Sequence, residues 1–316
     1  MVSIEPHRDL HLEQLQRLIN CHLAAVVPGW RLPTSIIAGS LRPPPMDAEL
    51  DLWVAERHTL CAVEEGHLLG AAHVLRYTSR AAVGAGYRGA AELAWLLFWP
   101  EAEMAAQALI AAARDLVSGW GPTRVYACDT SLPVPVVSGV PESWPHVSAA
   151  LTRAGFEPLA ADEQVLYGGR LPEVCPPAPP IPGLEVRSAS DEPGQRFLAE
   201  LGGTEVGFVE WSPDLSCGGT LPALAGWAEL CGLRIREGWR GRGVGEWLVR
   251  RTVPFLRMVG VSRVVVAVTA GEERAGAGRF CRRIGGAPGA GLAPGGGGGA
   301  GGGARPPPRH PRVEEH

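Results

Sequence analysis

The sequence predicts an α/β protein, with a mixed α+β sheet flanked by helices built once in each half of the chain. Three observations lead there. The order hairpin, strand, helix, strand, helix reads out twice along the chain. A proline-rich stretch at 172–183 separates the two readings. A length of 316 residues with 46% hydrophobic content holds two ordinary domains rather than one.

In the first half, residues 9–27 set Leu12, Leu15, Leu18 and Ile19 at helical spacing behind Asp9, a residue suited to capping. Apolar runs at 60–64 and 68–75, joined by Glu65-Gly66-His67, read as a hairpin. Residues 93–99 form an apolar strand stopped by Pro100, 101–120 an Ala-rich helix, 123–128 a short strand, and 147–154 a helix ended by Gly155. The prolines of 172–183 favour an extended linker, since they continue neither a helix nor a central strand.

In the second half, 184–187 is a strand, and 196–201 with 206–211 form a hairpin across Gly202-Gly203. A long strand at 227–235, a helix at 243–259, a strand at 263–268 and a helix at 273–284 follow. Pro254 is expected to kink the first of those helices near Arg250. Beyond Ala287 glycine and proline dominate and no candidate strand is seen. Such a segment buries too little surface to offset its ordering entropy. The expected organisation is a domain at 1–171, a linker at 172–183, a domain at 184–287 and a disordered tail at 288–316.

Composition excludes several function classes. A formal net charge of -4 suits neither a nucleic-acid-binding surface nor an acidic solvating tail. No apolar run has the length of a bilayer span and the N-terminus does not read as a secretory signal, so no membrane partner is expected. The cysteines (Cys21, Cys61, Cys128, Cys175, Cys217, Cys231, Cys281) are scattered and never spaced C-x-x-C, which argues against disulfides and a structural metal and for a reducing, cytoplasmic setting. The chain has no lysine, so a G-x-x-x-x-G-K-[ST] phosphate loop is impossible and all 29 Lys+Arg residues are arginine. His7 and His11 read as surface residues, and Trp95, Trp99, Trp227 and Trp247 as buried ones. Ser131 and Ser138 lack the G-x-S-x-G turn of a hydrolase nucleophile.

The chemistry concentrates at Leu233-Arg234-Ile235-Arg236-Glu237-Gly238-Trp239-Arg240-Gly241-Arg242-Gly243-Val244-Gly245. A strand runs into a short loop and then into a helix whose first turn is rich in glycine, where backbone comes close to a ligand. Free N–H groups of that turn, the helix dipole, Arg240 and Arg242 make a diphosphate the natural guest. A dinucleotide fingerprint fails, because the required last glycine is Glu246. Arg240-x-x-Gly243-x-Gly245 instead resembles the R/Q-x-x-G-x-G/A signature of the GNAT N-acetyltransferases. The order of elements around it, and Ala277-Gly278-Arg279-Phe280-Cys281 on the late helix in place of A-x-x-F-Y, fit the same family.

The resemblance implies acetyl-coenzyme A as cosubstrate, no metal, and an amine of a small molecule or peptide as acceptor. Leu233 and Ile235 would pair through their backbone with the pantetheine arm, and Arg240, Gly241, Arg242, Gly243, Val244 and Gly245 would hold the pyrophosphate. Glu229 stands where family members often place the general base, and Cys281 occupies the place of the tyrosine that protonates the leaving thiolate. Strict alternation would set Glu229, Cys231, Leu233 and Ile235 on one face of their strand. Either a naturally shortened domain or a shifted reading frame would account for a C-terminus without the family's last strands. A scaffold or non-catalytic acyl-coenzyme A-binding protein is the alternative, and the replaced tyrosine favours it.

The first half reads as a degenerate copy of the same plan. Its equivalent loop, Pro100-Glu101-Ala102-Glu103-Met104, has no glycine and two carboxylates, which repel a diphosphate. Leu151-Thr152-Arg153-Ala154-Gly155-Phe156-Glu157-Pro158 keeps the family's late-helix ending. Its expected role is structural, or to shape the acceptor pocket of the second domain.

Overall fold

The computed structural model describes residues 1–42, 53–128, 132–134, 139–158, 164–171, 177–189, 195–293 and 296–298. The chain divides into two compact units, one made of the residues before 163 with those from 292 onward, the other of 163–291.

The first unit contains β1 (Ser3–Pro6), α1 (Leu12–Val26), α2 (Thr34–Leu41), β2 (Val54–Glu64), β3 (His67–Tyr77), β4 (Ala91–Phe98), α3 (Glu103–Ser118), β5 (Val125–Ala127), β6 (Val140–Pro141), α4 (Pro145–Arg153) and β7 (Glu157–Pro158). Strands β1 to β5 lie in sequence order, antiparallel except for the parallel β4–β5 pair. The β2–β3 turn is Glu65-Gly66, both at positive φ (49° and 79°), the geometry that matches strand twist in a two-residue hairpin. Strand β4 is buried at every position, as a central strand with both faces covered must be. Helix α3 packs on β2, β3 and β4 through Ala105, Ala106, Leu109, Ile110, Ala113 and Val117.

The second unit contains β8 (Gln164–Arg170), β9 (Leu184–Ser188), β10 (Gln195–Leu201), β11 (Thr204–Ser212), β12 (Trp227–Ile235), α5 (Val244–Met258), β13 (Arg263–Thr269), α6 (Ala270–Arg274) and α7 (Ala277–Arg283). Its strands run in the order β8-β13-β12-β11-β10-β9, with β12–β13 the parallel pair. The β10–β11 turn is Gly202-Gly203, again at positive φ. Helix α5 buries Val244, Trp247, Leu248, Val249, Val253 and Leu256 against Phe197, Ala199, Val209, Trp211, Ala228 and Leu230 of the sheet. Both units therefore repeat the predicted order, with a parallel strand pair bracketing the central helix.

Several expectations are corrected. Strand β8 falls inside the expected first domain, yet it pairs along its whole length with β13, from Gln164↔Thr269 to Arg170↔Arg263. The ladder of β13 is completed by this strand, so the unit begins before the proline-rich stretch rather than after it. The tail is not without strands: β14 (Ala287–Ala293) and β15 (Gly296–Gly298) are formed. Leu292 and Ala293 pair with Pro141 and Val140, while β15 pairs with β5 and β7. A ladder needs only backbone donors and acceptors, so a glycine-rich strand completes an existing edge without burying side chains.

The helix read at 273–284 is two, broken at Gly276 with φ 101°. Helix α5 continues through Pro254 to Met258. Asp9 opens a 3₁₀ turn, and the residue at the N-cap of α1 is His11, which is buried and accepts the Arg8 N–H at 3.1 Å on Nδ1. Residues 172–176 of the linker with Cys175, the loop serines Ser131 and Ser138, and 299–316 of the tail lie outside the described residues.

Two expectations follow for stability. A Cβ at Gly70 would lie 2.7 Å from Phe98 Cβ and 2.9 Å from the Leu97 carbonyl, whereas one at Gly39, exposed on α2, meets nothing within 4 Å. Gly70→Ala is expected to cost about 1–3 kcal/mol through β3–β4 overpacking and Gly39→Ala to gain about 0.5–1 kcal/mol, read from urea midpoints. The second concerns pH. Burial, chiefly, holds His22 at about 4 and His73 at about 3, below the ordinary histidine value of about 6.5. The folded state keeps both neutral while the unfolded chain takes up protons below pH 6.5, so stability is flat above that pH and falls beneath it. Between pH 6.5 and 5.5 each histidine is expected to cost about 1 kcal/mol. Urea titrations should show a shallower acid slope in His73→Gln, whose amide can still pair with the Thr59 hydroxyl now 2.8 Å from Nδ1.

Candidate active site

Strands β12 and β13 pair only over Trp227–Glu229 and Arg263–Val265. Beyond that point β13 continues on its other edge with β8 as far as Thr269, and β12 continues with β11 as far as Ile235. The edges that faced each other part, and a cleft opens between them toward the start of α5. Gly243 is the N-cap of α5 at φ 79°, and Gly241 lies at φ 73°, so both adopt the left-handed conformation that favours glycine. The N–H groups of the first turn have no intrahelical acceptor and point out of the helix end. A Cβ at Gly245 would stand 3.5 Å from Ile235, 3.7 Å from Leu233 and 3.8 Å from Phe280. The fold thus gathers the loop, the end of β12 and α7 into one place.

The charges there favour an anion. Arg240 donates through Nε to the Ile235 carbonyl at 3.0 Å, which ties the loop to the strand end. Arg242 lies over the Trp239 ring, 5.3 Å from its centroid. Both arginines are exposed. Glu246, in the first turn of α5, is a carboxylate that would oppose a diphosphate. It pairs with Arg250 at 3.1 Å and Arg283 at 3.5 Å, so its charge is offset.

The expected face of Glu229 is corrected. The β11–β12 register shifts between Glu210 and Trp211, so that Leu230 faces Trp211, Gly232 faces Glu210, and Cys231 is an extra residue. A bulge inverts alternation. Ala228 and Leu230 lie in the core beneath α5, and Leu233 and Ile235 pack against that same core. Glu229, Gly232 and Arg234 are therefore on the opposite face, and Glu229 does not share a face with Leu233 and Ile235. Glu229 is half-buried. A second carboxylate joins it: Glu210 Oε2 lies 3.5 Å from where a Cβ of Gly232 would stand. Sequence reading passed over Glu210, because only the register of the bulge brings it to Gly232.

Cys281 is buried with Tyr167 and Val268. Burial, and next the Glu273 carboxylate, push its thiol up to about 11. The Tyr167 hydroxyl donates to Glu273 Oε1 at 3.0 Å and accepts from Arg282 Nη1 at 3.1 Å. Burial foremost, then the Glu273 hydrogen bond, raise the tyrosine above its usual range. A tyrosine is therefore present beside the position where the family's A-x-x-F-Y tyrosine would be. It comes from β8, which sequence reading assigned to the other domain.

The first unit repeats this geometry without the loop. Among the described residues strands β4 and β5 pair over Ala91–Leu93 and Val125–Ala127, and the β3–β4 register shifts so that Ala94 is the extra residue. Superposing the two bulges sets Ala91-Glu92-Leu93-Ala94 on Ala228-Glu229-Leu230-Cys231. That shared Ala-Glu-Leu was the available sign of the equivalence. Glu92 is fully buried and accepts the Tyr77 hydroxyl proton. Ala102, φ -95°, is the N-cap of α3, and Glu103 in the first turn pairs with Arg153 at 2.8 Å. The adjoining cavity, about 450 Å³, is lined by apolar groups including Val74, Leu93, Ile110, Val117 and Phe156. Among the described residues no group of three or more His, Cys, Asp or Glu side chains could hold a metal, and no helix is long and apolar enough to cross a membrane.

Comparison with known proteins agrees with this geometry. Residues 165–285 match the model of the acetyltransferase (GNAT) family. No curated protein sequence matches the chain. Among solved structures, a GCN5-related glucosamine N-acetyltransferase region of a fungal multi-domain GH3 β-N-acetylglucosaminidase superposes with a TM-score of 0.60 at 14% identity, over 94% of this chain and 38% of that one. The chain thus spans well under half the length of that enzyme. A tandem GNAT protein from the clavulanic acid biosynthesis pathway gives 0.57 at 14% identity, over 94% of this chain and 98% of its own. A GCN5-related N-acetyltransferase from Sphaerobacter thermophilus gives 0.56 at 15% identity, over 92% and 94%. These likenesses establish the fold over most of the chain. The family model thus covers the second unit, where the cleft of β12 and β13 ends on the Gly243-capped helix, and the fold of the chain is similar to that of a tandem GNAT protein over 94% of its length.

Proposed function

We propose that the second unit transfers an acetyl group from acetyl-coenzyme A to an amine. The observation that carries this reading is the parting of β12 from β13 in front of a helix start capped by Gly243 and flanked by Arg240 and Arg242. Residues 240–245 would hold the diphosphate through first-turn N–H groups, and the free edge of β12 near Leu233 and Ile235 would accept the pantetheine amides. An acceptor ammonium must lose a proton before its nitrogen attacks the thioester carbonyl. Glu229, on the face away from α5, is the proposed acceptor of that proton. Backbone N–H groups at the bulge would stabilise the oxyanion of the tetrahedral intermediate. As that intermediate collapses the carbon–sulfur bond breaks, and Cys281, protonated at neutral pH, is the proposed donor to the thiolate.

The first unit has the same cleft but a carboxylate in place of the glycines at its helix start, so coenzyme A binding is assigned to the second unit alone. Isothermal calorimetry with acetyl-coenzyme A should show binding to the wild type and a loss of about 100-fold or more in Gly243→Asp, Gly245→Asp, through added charge at a helix N-terminus. A folded wild type that binds no acetyl-coenzyme A would overturn the reading. Glu229→Gln should lower turnover on a panel of amines by about 10²–10⁴-fold while leaving acetyl-coenzyme A affinity within a factor of about two. Binding without turnover in the wild type itself would favour the non-catalytic alternative.

A further inference from the structure

The sheet face of the second unit away from α5 carries a cavity of about 530 Å³ lined by Arg196, Glu205, Gly207, Phe208, Arg234, Arg236, Glu237 and Arg240. Four guanidinium groups against two carboxylates leave a net positive lining. Part of it is already engaged: Arg236 pairs with Glu205 at 3.8 Å, and Arg240 binds the Ile235 carbonyl. Arg196 is differently placed. Its guanidinium lies 4.0 Å from the centroid of the Phe208 ring, and its Nε is shut off from solvent with no hydrogen-bond partner among the described residues. A charged donor held in that way lowers its free energy by taking an anionic acceptor. Arg234 projects from the neighbouring strand, in register with Phe208.

The position of this cavity relative to the bulge gives the anion a role. Glu229 faces Ser212 and Arg234 faces Phe208, four residues apart along β11. At about 3.3 Å per residue that is about 13 Å between backbones, on one face of the sheet. Side chains reaching toward each other shorten this to the span of a small extended molecule. The connection from Ser188 to Gln195 is short in this unit, whereas the corresponding connection of the first unit, from Pro6 to Val54, contains α1 and α2.

We infer that the acceptor is an amine that also carries a carboxylate or phosphate, held at that end by Arg196 and Arg234 while its amine stands at Glu229. This rests on the transfer reading above and names its substrate class. Guanidinium groups bind carboxylate and phosphate through paired N–H donors, which fixes orientation as well as adding affinity. Phe208 supplies an apolar wall at the guanidinium end, and Glu210, opposite Gly232, lies between the two ends and would face the chain on its way to Glu229.

The test uses the full chain, with succinate and, separately, inorganic phosphate as calorimetric probes, in the absence of acetyl-coenzyme A and at its saturation. The expected result is binding of at least one probe, unchanged by acetyl-coenzyme A and weakened about 10-fold or more in Arg196→Met and in Arg234→Met. Methionine retains apolar contact at both sites, and a thermal melt matching wild type shows that each variant is folded. In turnover, 6-aminohexanoate should be preferred to hexylamine by about 10-fold or more, and Arg196→Met should remove the preference through KM. Absence of probe binding in folded wild type overturns the inference. So does loss of probe binding at saturating acetyl-coenzyme A, which would assign the cavity to a phosphate of the cosubstrate. Failure of acetyl-coenzyme A to bind, with succinate still bound, would instead sink the transfer reading and leave an anion site.

Discussion

One extra residue in β12 governs the second unit. Cys231 has no counterpart on β11, and its insertion reverses which side chains of β12 look toward α5. Before it, Ala228 and Leu230 fill the core and Glu229 looks the other way; after it, Leu233 and Ile235 fill the core and Gly232 and Arg234 look the other way. Without the bulge, either the first or the second half of the strand would turn its apolar residues out of the core. A slip of that kind moves several side chains worth about 1.5–3 kcal/mol each, which pins the register firmly. The pinned register in turn places Glu229, Glu210 and Gly232 together, and aims β12 away from β13.

The same device in β4 shows what the loop adds. Ala94 is the extra residue, Glu92 stands two positions before it, and β4 pairs with β5 over three residues as β12 does with β13. Yet α3 starts at Ala102-Glu103, with no residue in the left-handed conformation and a carboxylate at the helix end. Geometry alone makes the cleft. Glycines at positive φ and arginines around the helix start are what the proposed diphosphate site has in addition.

Much of this was legible beforehand, because hydrophobic periodicity and turn glycines are local. The hairpins at Glu65-Gly66 and Gly202-Gly203, the long strand ending at Ile235 and the helix opening at Val244 all followed from neighbours in the sequence. The bulge was not legible: Glu229-Leu230-Cys231-Gly232-Leu233 obeys simple alternation until β11 supplies the register. Nor was the place of β8, since a strand does not announce which edge it will join. Tyr167 reached Cys281, and Glu210 reached Gly232, only through such long-range pairing. The glycine strands β14 and β15 escaped for a different reason. Their sequences, Ala-Pro-Gly-Ala-Gly-Leu-Ala and Gly-Gly-Gly, hold one large apolar residue, so hydrophobic periodicity carries no trace of them.

The cavity beside Phe208 is cationic through arginine alone, in a chain without lysine. A guanidinium spreads its charge over a plane of N–H donors, whereas an ammonium is a compact point charge, so this wall favours planar, paired recognition of an anion. Amine-directed reagents would find no side chain to modify, and an arginine-directed dicarbonyl would meet this wall of the protein as a chemical target.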